Sequence, residues 1–322
     1  MEDITIYTPM MQQYIKLKED YAEAIVFFRL GDFYEMFFDD AVIASKVLEI
    51  ALTSRDAGVR VPMCGIPYHA SKIYIQKLVN KGFKIAIAEQ VTAAGKGLVE
   101  RQVVKLITPG MIFEDGLLNA SEYNFIGAVT LTEYGYMLAY TDISTGDAFV
   151  LEGLNKESLK DEIKNLKLKE LVLTSKANTD LVNYLTSLSI VVSVHQNTEL
   201  RSMSLLKNLE LKESKQTASL LLNYLIDESK QELGHLLPFK LTKVDYYMHL
   251  DSHVLEHLEL AESNTKDPKS TLIYWLDKTK TAMGSRLLRH QITHPIKDKE
   301  VLENPELFKK YRLFFLVMFA LS

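Results

Sequence analysis

The feature that most constrains this chain is a five-residue apolar run, Ala24-Ile25-Val26-Phe27-Phe28, stopped soon after by Gly31. A run this short, bounded by glycine, reads as a buried strand. A helix would be longer and would space its apolar positions every third or fourth residue. After Gly31, Asp32 is placed to cap the next element of the chain. Asp39-Asp40-Ala41 then opens a helix in which Val42, Ala44, Val47, Leu48 and Ala51 recur at helical spacing. Between the two lie Phe33, Tyr34, Glu35 and Phe37, where a strand hands over to a helix. Two readings of these residues stay open. Asp32-x-x-Glu35 has the form of a capping box, which would put Glu35 on a free backbone N–H and Phe33 and Phe37 in the core. Alternatively, a ring left outside is a flat rigid wedge on a fixed scaffold, with a carboxylate two residues on.

The surrounding pattern divides the chain. Thr8 as N-cap and Pro9 as first helical residue start a helix carrying Met10, Met11, Tyr14 and Leu17. Thr53 to Gly65 reads as loop with a short extended piece around Val61. Ser71 opens a helix ended by Gly82, and 83–88 and 102–107 read as strands. Residues 1–110 are therefore expected to form a mixed α/β domain, with 111–122 a linker. In 123–214 the runs Phe125–Leu131, Tyr136–Tyr140 and Gly146–Leu151 make a three-stranded meander. A helix from Glu157, a strand at 170–174, a helix at 179–188 and a strand at 190–194 come after it. From 215 to 303 the apolar spacing turns helical, which predicts the start of an all-helical core and no sheet. Residues 304–322 end in nine consecutive apolar residues, Leu313–Leu321. A bilayer needs about 20, so this tail reads as a frame break or truncated product and a solubility liability.

Hydrophobic content of 47% and charged content of 25% in 322 residues describe a soluble globular chain with room for two or three domains. The net charge of −5 is uninformative, but its distribution is not. Residues 1–45 carry 3 Lys/Arg against 9 Asp/Glu, and residues 46–110 carry 10 against 4. That swing places a basic surface beside an acidic one in the first domain. The single cysteine, Cys64, excludes an internal disulfide framework and fits a reducing cytosol. Cys64 with His69 could form a nucleophile and base, but a small buried thiol is the simpler reading. The acidic N-terminus has no apolar signal region, so the expected location is cytoplasmic.

Several stretches in order resemble the MutS family of bacterial DNA mismatch-recognition proteins. They are Thr8-Pro-Met-Met-Gln-Gln-Tyr14, Phe28-Arg-Leu-Gly-Asp-Phe-Tyr-Glu-Met-Phe37, Leu52-Thr-Ser-Arg55 and Val61-Pro-Met-Cys-Gly-Ile-Pro-Tyr-His-Ala70. Val99-Glu-Arg101, Leu106-Ile-Thr-Pro-Gly110 and Met283-Gly-Ser-Arg-Leu-Leu288 continue the likeness, which runs from about Thr8 to about Glu303. The loop Thr92-Ala-Ala-Gly-Lys-Gly97 departs from it, being shorter than in the family and lacking an Asp-Pro. The resemblance implies a mismatch-recognition domain, a ribonuclease H-like connector and the start of a helical lever. It implies that Phe33 stacks on a mispaired base, that Glu35 hydrogen-bonds that base, and that Arg55 and Arg101 contact the DNA backbone. The implied partners are mismatched double-stranded DNA, a MutL-type repair protein and, in the full-length family, a second copy of the chain; no membrane is implied.

The chemistry of that reading is coherent. A mispaired base costs less to unstack than a paired one, so a wedge that kinks the duplex is cheapest at the lesion. Stacking tolerates any base, and phosphate contacts position without specifying. A carboxylate meeting a thymine imino N–H stays ionised, whereas one meeting purine N7 must carry a proton. Tyr68 and His69 are candidates to line the groove, and Tyr34 is expected to be packing. The full-length family uses ATP and Mg, yet no G-x-x-x-x-G-K-[ST] occurs here, and Gly95-Lys96-Gly97 is no substitute. No cofactor and no enzymatic activity are therefore expected of this chain. Asp142 and Asp147 suggest a metal-dependent nuclease as an alternative, but two acids are too few, and both read more simply as turn residues. A partner-docking module without DNA binding of its own is the other alternative.

Overall fold

The computed structural model describes residues 4–91, 99–112, 123–176, 178–229, 233–242, 248, 250, 252–261, 263–265, 267–297 and 303. Two compact units emerge, each built on its own six-stranded mixed sheet.

In the first unit the strands are β1 (Ala24–Leu30), β2 (Phe33–Phe37), β3 (Thr53–Asp56), β4 (Arg60–Pro67), β5 (Lys84–Gln90) and β6 (Arg101–Ile107), in the spatial order β3-β4-β2-β1-β5-β6. β1 runs parallel to β5, and every other pairing is antiparallel. Helix α1 (Pro9–Asp20) covers one face through Met11 and Tyr14, over Val26, Phe28, Phe37, Ala86 and Ala88. The other face carries α2 (Phe38–Leu48) and α3 (Ser71–Asn80), which bury Ala41, Ala44, Leu48, Ile75, Leu78 and Val79. With both faces covered, β1 is buried along its length except at its last two residues. That burial is why its sequence shows a continuous apolar run rather than alternation.

The handover after Gly31 is not the expected one. Asp32 caps no helix, because Phe33–Phe37 is itself a strand, paired with β1 on one side and β4 on the other. Gly31 takes φ +58° as the first central residue of a two-residue hairpin turn, a conformation glycine adopts without steric cost. The capping-box reading therefore falls for Glu35. Helix α2 starts directly after β2 with no side-chain cap, through Phe38 at φ +53°. Asp40 turns inward instead and accepts from Tyr14 Oη at 2.8 Å and from the Val26 N–H at 2.9 Å. Lys18 lies 2.9 Å from its other oxygen. The Val26 amide lies before the stretch of β1 that pairs with β2, so Asp40 supplies the acceptor a buried N–H requires.

Thr53–Gly65, expected as loop, is instead a hairpin of β3 and β4. Its signal was hidden because β3 is an edge strand of polar residues, exposed on both faces, which leaves no apolar alternation to read.

The second unit is built on the meander β7 (Phe125–Thr132), β8 (Gly135–Asp142) and β9 (Ala148–Leu154); in chain order α4 (Lys156–Asn165), β10 (Glu170–Leu173), α5 (Thr179–Ser187), β11 (Val191–Val194) and α6 (Lys212–Ser229) follow, with residues 189–191 and 224–234 grouped with the first unit. A further strand, β12 (Lys240–Thr242), runs parallel to β9, giving the order β11-β10-β7-β8-β9-β12. The expectation of helices alone after residue 215 fails at β12, whose three residues are too few to show a period. The helix expected from about residue 215 is present as α6, but it is no part of a sheet-free core: Thr217 bonds Thr130 of β7 at 2.6 Å, so the helix lies against the sheet. Further on come α7 (Ser252–His257), α8 (Leu272–Leu276) and α9 (Ala282–Thr293), with a break in helical geometry after α8 at Asp277. There Thr279 and Ser285 donate to the Asp277 carboxylate. The loop at 92–97, most of the 111–122 linker and the 304–322 tail lie outside the described residues.

Candidate nucleic-acid interface

Strand alternation decides which side chains meet. In β2, Phe33, Glu35 and Phe37 point to the α1 face and Tyr34 and Met36 to the other. Phe37 is fully buried beneath α1, edge-on to Tyr14 with ring centroids 5.0 Å apart. Phe33, two pairs nearer the turn and beyond the cover of α1, keeps 47% of its surface exposed. The four-residue spacing that suggested two core positions thus yields one core ring and one projecting ring on the same strand face.

Glu35 lies opposite Gly65 of β4, which presents no side chain. The carboxylate therefore leans across β4 and forms an ion pair with the Arg55 guanidinium on β3. Arg55 retains 37% side-chain exposure, and Glu35 retains 16%. The pair sits at the margin of the sheet, next to Phe33, where solvent still reaches it.

Arg101, at the start of β6, occupies the same face but is only 6% exposed. Its guanidinium lies 4.9 Å from the Phe28 ring centroid, Nε donates to the Arg29 carbonyl at 2.6 Å, and Nη1 donates to the Val99 carbonyl at 2.9 Å. Burial lowers its pKa, and the positive charge of Arg55 lowers it further. The sheet thus brings Phe33, Glu35, Arg55 and Arg101 together on one face, but only the first three reach the surface. In the free chain Arg101 spends its donors on the protein backbone, and its position braces the β1–β2 turn.

Tyr34 is packing, as expected: it is 6% exposed, and its hydroxyl donates to Glu89. Burial and Glu89 together hold that hydroxyl far above the usual tyrosine range. Tyr68 and His69 are both exposed beside the turn, and the Tyr68 N–H donates to the Asp32 carbonyl at 2.9 Å. Sequence reading missed Arg29, whose Cζ lies 3.5 Å from the Tyr68 ring centroid and whose Nε donates to Gly31 O at 2.6 Å. The only available signal was a cation at the polar end of an otherwise apolar strand.

The two catalytic alternatives find little in the structure. Cys64 is buried, and burial pushes its thiol up to about 11, so it is a packed thiol rather than a nucleophile. Asp142 accepts from the Asn124 N–H, the Ser144 N–H and Ser144 Oγ, and Asp147 lies 3.6 Å from Lys240. The Ser144 bonds are those of a turn, while Asn124 and Lys240 tie the two carboxylates to distant parts of the chain. Among the described residues no group of three His, Cys, Asp or Glu side chains could hold a metal, and no helix is long and apolar enough to cross a membrane.

Comparison with known proteins agrees with this layout. Residues 8–116 match the family model described as MutS domain I, residues 124–237 match MutS domain II, and residues 253–304 match MutS domain III. The DNA mismatch repair protein MutS of Acholeplasma laidlawii is 63% identical over 303 residues, covering 94% of this chain and 36% of that protein. The proteins of the same name from Bacillus thuringiensis (strain Al Hakam) and Bacillus cereus (strain B4264) are each 44% identical over 311 residues, covering 93% of this chain and 35% of theirs. The chain spans about a third of the length of these relatives.

Proposed function

We propose, for a chain that belongs to the MutS family and carries residues matching its domains I, II and III, that the first unit binds mismatched or unpaired bases in double-stranded DNA. The observation that carries this reading is Phe33: a large ring, half exposed, on a strand paired on both sides, beside an ion-paired carboxylate. A rigid projecting ring gains from stacking only where a base can leave its stack at low cost, which selects the lesion. Glu35 then reads an edge of the displaced base. Before binding, Arg55 neutralises it, so the carboxylate meets the phosphates without net repulsion. On binding, Arg55 turns to the DNA backbone and frees Glu35 for the base. Arg101 acts from beneath, holding the turn that carries Phe33. With no phosphate-cradling loop motif in its 322 residues, the chain does this without ATP turnover.

The test is anisotropy of the purified chain with duplexes differing by one mispair, at low and moderate salt. The mismatched duplex should bind more tightly at every salt concentration, while both affinities fall as salt rises. Glu35→Gln should tighten binding to both duplexes and shrink their difference, because it removes a negative charge and, while one acceptor oxygen stays, adds an N–H donor that blurs the reading of the displaced base. Equal affinity of the parent chain for matched and mismatched duplexes would overturn the reading.

A further inference from the structure

Behind Phe33, on the opposite face of the same hairpin, lies a stack that the mismatch-reading chemistry does not use. Arg29 and Tyr34 are cross-strand partners on β1 and β2, and their side chains point away from Phe33. The Arg29 guanidinium lies against the Tyr68 ring, with its Cζ 3.5 Å from that centroid, and stands further off, 5.6 Å, from the Tyr34 centroid. Tyr34 is in turn tied by its hydroxyl to Glu89 on β5. The stack also reaches the turn itself. Arg29 Nε donates to Gly31 O at 2.6 Å, and the Tyr68 N–H donates to Asp32 O at 2.9 Å. Both central carbonyls of the two-residue turn are therefore held, one by the side chain in the stack and one by the backbone of the residue whose ring closes it. Arg101 takes the carbonyl of Arg29 on the other face.

A two-residue turn at the rim of a sheet is ordinarily a place where the chain opens locally. Here the residue directly after it is the exposed Phe33. Tyr68 is 43% exposed and is not part of the buried core, so its position over Arg29 is not imposed by core packing. Tyr68 opens a 3-10 turn directly after Pro67, the cross-strand partner of Phe33, so its backbone adjoins the strand that carries the wedge while its ring lies on the other face. A cation held against an aromatic face keeps its direction better than a free surface arginine, and here that direction aims its N–H at the turn.

We propose that Arg29, clamped by Tyr68, is a positioning residue: it fixes the Gly31–Asp32 turn and so sets the pose of the Phe33 ring before DNA arrives. This inference rests on the mismatch-reading function proposed above. In physical terms the clamp removes in advance the freedom Phe33 would otherwise lose on stacking, so it contributes to mismatch discrimination rather than to general affinity.

The experiment uses the full chain with Tyr68→Ala, Tyr68→Phe and Arg29→Met. Amide hydrogen exchange over residues 31–35 is measured without DNA, and binding is measured with matched and mismatched duplexes across salt. Tyr68→Ala and Arg29→Met should speed exchange in that segment and lower the mismatch-to-match ratio about two- to fivefold, the range expected for one exposed cation–ring contact. Melting and matched-duplex affinity should barely move. Tyr68→Phe keeps the ring and should keep both the exchange protection and the ratio. Unchanged exchange in Tyr68→Ala overturns the clamp whatever the DNA result. If Arg29→Met weakens both duplexes alike and flattens the salt dependence by about one phosphate's worth, Arg29 is a DNA contact and the positioning role is wrong. If the parent chain does not discriminate at all, the mismatch reading fails. The exchange data then still decide whether the clamp holds the turn, while its proposed contribution to discrimination is lost.

Discussion

Phe33 and Phe37 are four residues apart on one strand face, and truncating each should separate binding from folding. Phe37 is fully buried against Tyr14 and Phe28. Phe37→Ala removes a core ring and leaves a cavity, which costs about 3–5 kcal/mol. That is a large fraction of the roughly 5–15 kcal/mol that typically holds a domain together. Phe33 is 47% exposed and no cavity opens behind it, so Phe33→Ala should cost about 1 kcal/mol or less of folding stability. Its effect falls on binding: a lost base–aromatic stack is worth about 1–3 kcal/mol, or roughly 5- to 150-fold in affinity for the mismatched duplex. The matched duplex offers no displaced base and should be bound nearly as before. The assay pairs a urea melt with anisotropy on both duplexes for each variant. The expected pattern is a shifted midpoint for Phe37→Ala and a collapsed mismatch-to-match ratio with a near-parental midpoint for Phe33→Ala. If Phe33→Ala shifts the midpoint as far as Phe37→Ala and leaves the ratio intact, Phe33 is a packing residue and the wedge argument is refuted.

Three further outcomes rest on the same structure. Arg101→Ala strips the donors from the carbonyls of Arg29 and Val99, so it should destabilise the first unit by about 2–3 kcal/mol; a stable variant with a salt dependence flattened by one unit would show instead that the side chain swings out to phosphate. Cys64, buried and with its thiol raised to about 11, should react with iodoacetamide at pH 8 roughly a hundredfold or more slowly in the folded chain than in urea; comparable rates would mean that the site is open. His290, stacked on His294 with centroids 4.5 Å apart, has its pKa lowered to about 4 by burial and then by its neighbour. Its folded pKa lies below its unfolded value near 6.5, so the stability it contributes is full above that value and is lost as pH falls towards 4, on the order of 2 kcal/mol once partial exposure is discounted. Urea midpoints followed by the single tryptophan, Trp275, should therefore fall between pH 6.5 and 4 in the parent and fall less in His290→Asn.

The elements with strong periods were legible in the sequence. The buried strand at 24–30, the helix after Phe37, the helix at 71–80 and the meander from Phe125 all stand where the apolar spacing put them, because each buries a face whose residue type burial dictates. The motif-level resemblance also identified the family, and it named Phe33, Glu35, Arg55 and Arg101 together. What spacing could not decide was pairing. Whether Phe33–Phe37 is a capped helix start or a strand depends on β4, some thirty residues away, offering a partner edge. That partner turns Glu35 from a cap into an ion-pair member aimed at Arg55. The polar edge strand β3 and the three-residue β12 carry no period at all, and only their neighbours make them strands. Burial of a long side chain is likewise a tertiary fact. Arg55 and Arg101 look alike in sequence, yet Arg55 keeps its surface while Arg101 is enclosed by Phe28 and two backbone carbonyls. The same holds for Arg29, whose meaning depends on a tyrosine thirty-nine positions along the chain that closes over it. Local sequence determines which face of an element is apolar; which element that face meets, and which cation is enclosed in the meeting, is decided by contacts between residues far apart in the chain.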